Sequence, residues 1–163
     1  MKKAIVIGCP GAGKSTFSRE LQKRTGLPLY YLDMLFWNCD KTHVTREIFD
    51  KRLADVLSQD KWIIDGNYAR TLETRMKVCD TVFLLDFKVE DCILGVNLRI
   101  GKQRVDMPWI EQEFDDEFKQ WIINFPDNEL PKIYSLLEKY NDKNIIIFKS
   151  REDVKNYLNN IHY

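Results

Sequence analysis

At 163 residues, with 44% hydrophobic and 31% charged side chains, the chain has the size of one domain with a real core, and residues 1–163 are read as such. Its 25 Lys and Arg balance 25 Asp and Glu, so the zero net charge excludes a general pull toward polyphosphate backbones. Direct nucleic-acid binding is therefore not expected beyond a local patch. Four widely spaced cysteines, Cys9, Cys39, Cys79 and Cys92, form no C-x-x-C pair and have only His43 and His162 to assist, which argues against structural zinc and for reduced thiols.

In chain order, residues 1–3 precede an apolar stretch too short for a signal peptide or a membrane span, so a cytoplasmic protein is expected. That stretch, residues 4–7, reads as a buried first strand. It leads into Gly8-Cys9-Pro10-Gly11-Ala12-Gly13-Lys14-Ser15, which satisfies the phosphate-loop pattern G-x-x-x-x-G-K-[ST], and Thr16 opens a helix over 16–25. Strand, loop and helix in this order make an anion site. The glycines let backbone N–H groups converge on phosphate oxygens, and the helix dipole adds positive potential. Lys14 is expected to reach the β- and γ-phosphates of ATP, and the Ser15 hydroxyl to ligate Mg²⁺. Cys9, close to the helix N-terminus, is expected to favour its thiolate and to be protected by ATP from alkylation.

Residues 29–32 read as a second strand ending at Asp33, with Tyr30, Tyr31, Phe36 and Trp37 around it; Trp37 is expected to line a pocket. A helix over 45–58 precedes a third strand, 62–64, which ends in Asp65-Gly66-Asn67-Tyr68. A fourth strand is expected over 81–85, a helix over 89–100, helices over 111–125 and 131–140, and a fifth strand over 144–148. Ser150 with Asp153 has the form of a capping box that opens a last helix. Short apolar strands alternating with helices predict a parallel α/β sheet covered on both faces. The segment 101–110, with Lys102, Arg104, Asp106 and Pro108, is read as a surface loop or a short active-site lid near 99–110. The acids Glu111, Glu113, Asp115, Asp116 and Glu117 are read as a solvated face.

Ligands of open parallel sheets bind beyond the carboxyl ends of the strands, which singles out Asp33 and Asp65 and leaves Asp86 structural. Asp65 is the Mg²⁺ candidate, with a turn acid as the bland alternative. Asp33 fits a general base, a substrate ligand or a holder of metal-bound water. Arg99 and Arg104 are candidates for positive charge on the transferring phosphoryl group, and Lys102, Arg70 and Arg75 are further cations in the same reading.

With the phosphate loop, Tyr31-Leu32-Asp33-Met34-Leu35-Phe36-Trp37 and Ile63-Ile64-Asp65-Gly66-Asn67-Tyr68 in view, the chain resembles the adenylate-kinase-related DNA topology modulation (FlaR-like) proteins over nearly its whole length. The likeness extends to Thr74-Arg75 and Arg104-Val105-Asp106-Met107. It implies a P-loop NTPase of nucleoside-monophosphate-kinase type: a three-layer α/β/α fold with a five-stranded parallel sheet of order 2-3-1-4-5 and a short lid. On that reading Asp33, Trp37, Asn67 and Arg75 face an acceptor. Adenylate kinases usually follow the third strand with Asp-Gly-Phe-Pro-Arg, whereas here Asp65-Gly66-Asn67-Tyr68-Ala69-Arg70 lacks the proline and sets the arginine one position later. The acid ending the second strand also resembles that of shikimate and nucleoside kinases. The expected function is an ATP- and Mg²⁺-dependent kinase acting on a nucleotide, nucleoside or small hydroxyl compound. The alternative is a nucleotide-dependent regulatory protein linked to DNA topology without small-molecule kinase activity.

Overall fold

The computed structural model describes residues 1–161, so His162 lies outside the described residues. The elements run β1 (Lys3–Gly8), α1 (Lys14–Thr25), β2 (Leu29–Tyr31), α2 (Leu32–Phe36), α3 (Arg46–Leu57), β3 (Trp62–Asp65) and α4 (Ala69–Val78). They continue with β4 (Thr81–Leu85), α5 (Val89–Asn97), α6 (Asp116–Asn128), α7 (Leu130–Lys139), β5 (Asn144–Phe148) and α8 (Arg151–Asn160). The strands form one parallel sheet of order β2-β3-β1-β4-β5, the order that the family resemblance implies. Every residue of β3 and β4 is buried, and successive residues point to opposite faces, so helices cover this sheet on both sides. Among the described residues, no helix is long and apolar enough to cross a membrane.

Local chemistry explains the boundaries. Ser150 accepts from the Asp153 N–H while the Asp153 carboxylate accepts from the Ser150 N–H, the reciprocal cap expected for α8. Helix α6 starts five residues later than the sequence predicts, because the Asp115 side chain caps it by accepting from the Phe118 N–H at 2.8 Å. The second strand is one residue shorter than predicted: Leu32 is fully buried and opens α2, so Asp33 stands in the first turn of a short helix rather than at a strand end.

Register sets the geometry of the site. Val6 pairs with Asp65 and Gly8 with Leu85, so the loop leaving β1 emerges beside the end of β3. Helix α5 then presses on that loop from the other side. A Cβ on Gly11 would lie 1.9 Å from the Cys92 carbonyl oxygen, and one on Gly95 would lie 2.0 Å from the Gly11 oxygen, so this backbone contact admits only glycine at both positions.

Candidate active site

The loop from Gly8 to Ser15 is pinned at its base by Asn67. The Asn67 side chain accepts from the Gly8 N–H at 2.9 Å and donates to the Gly8 carbonyl at 2.8 Å. It is thus tied to the phosphate loop, a correction to the expectation that it faces an acceptor. Ala12 is buried, and Gly13 adopts φ +96° to turn the chain into α1. No side chain caps α1. Its first N–H groups therefore lack intrahelical acceptors and face an open cavity of ≈ 470 Å³, lined by Gly11, Gly13, Lys14, Ser15 and Thr16 together with Arg19, Arg99 and Arg104.

Lys14 donates to the Gly8 and Cys9 carbonyls at 2.9 and 3.1 Å, folding its ammonium back over its own loop. Burial lowers its pKa, and the Asp65 charge works against that shift. Asp65 closes β3 with only 4% of its surface exposed. Burial raises its pKa to about 6 despite the opposing charge of Lys14. Its Oδ2 is buried without a hydrogen-bond partner. Such an oxygen needs a ligand or a proton. Among the described residues, no three His, Cys, Asp or Glu side chains are grouped so that they could hold a metal ion.

Asp106, which the sequence places in the 101–110 segment without a role of its own, stands directly against the phosphate loop. Its Oδ2 accepts from the Ser15 hydroxyl at 2.8 Å and from Arg104 at 2.5 Å. Burial acts to raise the Asp106 pKa, but the Arg104 bond outweighs it and the carboxylate is held below its ordinary range. Arg104 and Arg99 both reach Glu111, at 2.6 and 2.7 Å. The Gly101 N–H donates to the Glu111 carbonyl at 2.7 Å, closing the segment on itself. Glu111 is therefore half-buried and ion-paired, a correction to its reading as part of a solvated face, while Lys102 remains exposed. The one signal in the sequence was the spacing Arg104-x-Asp106.

The Tyr68 hydroxyl donates to Asp33 Oδ1 at 2.7 Å. Burial raises the Asp33 pKa, against the Tyr68 bond and the Lys14 charge, which moves this carboxylate toward the range of a useful base. Burial, then the Asp33 charge, raises the Tyr68 pKa, so its hydroxyl remains a donor. Tyr68 takes φ +39°, a left-handed conformation that costs a non-glycine residue energy. Arg75 holds it there. The Arg75 guanidinium is fully buried and donates to the carbonyls of Gly66, Asn67 and Tyr68. This corrects its assignment to an acceptor: Arg75 is enclosed beneath the loop and positions it. Arg70 is exposed and ion-paired with Asp50.

Trp37 is half-buried, edge-on to Phe36 at 5.0 Å and to Trp109 at 6.0 Å, outside the phosphate-side cavity. Asp86 receives the Tyr134 hydroxyl at 2.7 Å and the Lys149 ammonium, a structural arrangement. Cys9 is buried beside Cys92 and shares a side-chain hydrogen bond with it. That bond and burial push the Cys9 thiol up, opposite to the shift expected from its place near a helix N-terminus.

The chain matches no protein-family profile and no curated protein. In structure it is similar to shikimate kinase from Bacteroides thetaiotaomicron, with a TM-score of 0.58 and 18% identity over 97% of this chain and 94% of that one. With the sheet order, that likeness gives this chain the P-loop fold of nucleoside-monophosphate-kinase type.

Proposed function

We propose that the chain is an ATP-dependent phosphotransferase that moves the γ-phosphoryl group to a hydroxyl of a small acceptor. The observation that carries this reading is Asp33: a half-buried carboxylate, held by Tyr68 and acted on by the charge of Lys14, which a nucleotide switch has no use for. The chain works as a single kinase-like domain with residues 99–110 as its lid, and the motifs around Asp33 and Asp65 support membership of the topology modulation family.

The phosphate-loop N–H groups and Lys14 bind the nucleotide phosphates, the lysine exchanging its loop carbonyls for phosphate oxygens. Asp65 and Ser15, with Asp106 against the serine, are the residues that would hold Mg²⁺, and the unpartnered Asp65 oxygen is the observation that fits it. When bound, the ion neutralises β,γ-phosphate charge. Arg99 and Arg104 line the same cavity and place positive charge against the group in transit. Asp33 orients the acceptor hydroxyl and takes its proton as the oxygen bonds to phosphorus and the β,γ-bridging bond breaks, giving ADP and a phosphomonoester.

A screen of acceptor-dependent ADP release tests this reading. Release is expected to rise with a hydroxyl compound, to stay unaffected by duplex DNA, and to collapse in Lys14→Ala. Turnover that depends on DNA and on no small acceptor would favour the regulatory alternative.

A further inference from the structure

The acceptor side of Asp33 has a chemistry of its own. Trp37 closes α2 and meets Trp109, which comes from the lid segment, so two indoles carried by different elements form one wall. The Trp109 Nε1 is buried without a hydrogen-bond partner, a donor awaiting an acceptor atom.

Four arginines are already committed. Arg75 is enclosed by three carbonyls, Arg104 is paired with Asp106 and Glu111, and Arg52 donates to the Leu35 carbonyl at 2.8 Å. Arg70 is bound to Asp50, whose carboxyl also feels the charge of Arg46. Lys41, on the surface, lies 5.4 Å from the centre of the Trp109 ring. A phosphate or carboxylate on the acceptor calls for a free guanidinium fork, and Arg75, Arg104, Arg52 and Arg70 do not offer one. Asp33, Asp65 and Asp106 act on one another with like charge and would repel an anion. A cationic acceptor meets the reverse problem, since Lys14 and Arg104 already act on Asp33.

Resting on the kinase reading above, we infer that the acceptor is an uncharged, flat hydroxyl compound, of the class of a nucleoside or an aromatic alcohol, that packs against Trp37 and Trp109. A carbonyl, ring nitrogen or hydroxyl of the acceptor takes the Trp109 N–H, and the reacting hydroxyl meets Asp33.

The test measures ADP release from Mg²⁺-ATP with adenosine, thymidine and benzyl alcohol against AMP, shikimate and ethanolamine, with indole fluorescence followed in parallel. The best uncharged compound is expected to exceed every charged one in kcat/KM by about tenfold, the penalty for a charge without a partner. Trp109→Leu should raise acceptor KM by about tenfold with ATP KM unchanged, Trp109→Phe should raise it less, and Lys41→Ala should leave it as it was. Preference for AMP or shikimate, with acceptor KM raised in Lys41→Ala, would overturn this inference and leave the kinase reading standing. Absence of both ADP release and saturable fluorescence change with every compound would overturn the kinase reading itself.

Discussion

The Ser15 hydroxyl donates to the Asp106 carboxylate at 2.8 Å, across 91 positions of sequence, and so ties the phosphate loop to the segment 101–110. Through Arg104 and Glu111 the link runs on to Arg99 at the end of α5. A double-mutant cycle of Ser15→Ala and Asp106→Ala, read by denaturant unfolding, should show a coupling of about 1.5–3 kcal/mol, the size of a hydrogen bond to a charged group. Additive effects would mean that the two side chains do not support one another.

Asp65 should make both stability and nucleotide binding depend on pH. Its folded pKa, raised by burial to about 6 from 3.8, lets the folded state hold more protons than the unfolded chain between those values, so stability falls as pH rises through that window. At neutral pH Asp65→Asn is expected to be more stable than the parent by up to about 3 kcal/mol, with the gain vanishing near the lower end of the window. Calorimetric Mg²⁺-ATP affinity of the parent should weaken as pH drops through about 6, while Asp65→Asn binds weakly throughout. A parent affinity flat across this range would remove Asp65 from the metal site.

Arg75 is expected to matter for folding before chemistry. Arg75→Ala leaves the carbonyls of Gly66, Asn67 and Tyr68 without their donor and opens a void, at a cost of about 3 kcal/mol or more. Denaturant melts give the loss. Unchanged stability would contradict its place beneath the loop.

Of the four thiols, Cys39 alone is exposed. Titration with a chromogenic disulfide reagent should therefore find one fast thiol per chain, lost in Cys39→Ser, with Cys9 slow whether or not ATP is present. A second fast thiol that ATP protects would restore the activated cysteine that the loop position alone implies.

These cases mark what is legible in the sequence. The five strands follow from short apolar runs, their order only from the family resemblance, and the span 81–85 is identical in sequence reading and structure. Side-chain direction is not written in the pattern. Arg75 and Asn67 follow the third strand just as substrate ligands would, yet the turn at Tyr68 sends one beneath the loop and the other onto Gly8. Glu111 sits in an acidic run that reads as solvated, yet the bond from the Gly101 N–H to its carbonyl folds the segment back and sets its carboxylate between two arginines. Asp106 carries no motif strong enough to place it, because its partner Ser15 is distant in sequence and only the tertiary fold joins them.

The central claim, that a hydroxyl held by Asp33 receives the γ-phosphoryl group, is tested most directly by phosphorus NMR of a reaction with Mg²⁺-ATP and the best acceptor. A phosphomonoester resonance should grow in step with ADP. In Asp33→Asn that growth should slow by about a hundredfold, the scale of losing a general base, with ATP affinity retained. ADP accompanied only by inorganic phosphate, at equal rates in the parent and Asp33→Asn, would contradict the account.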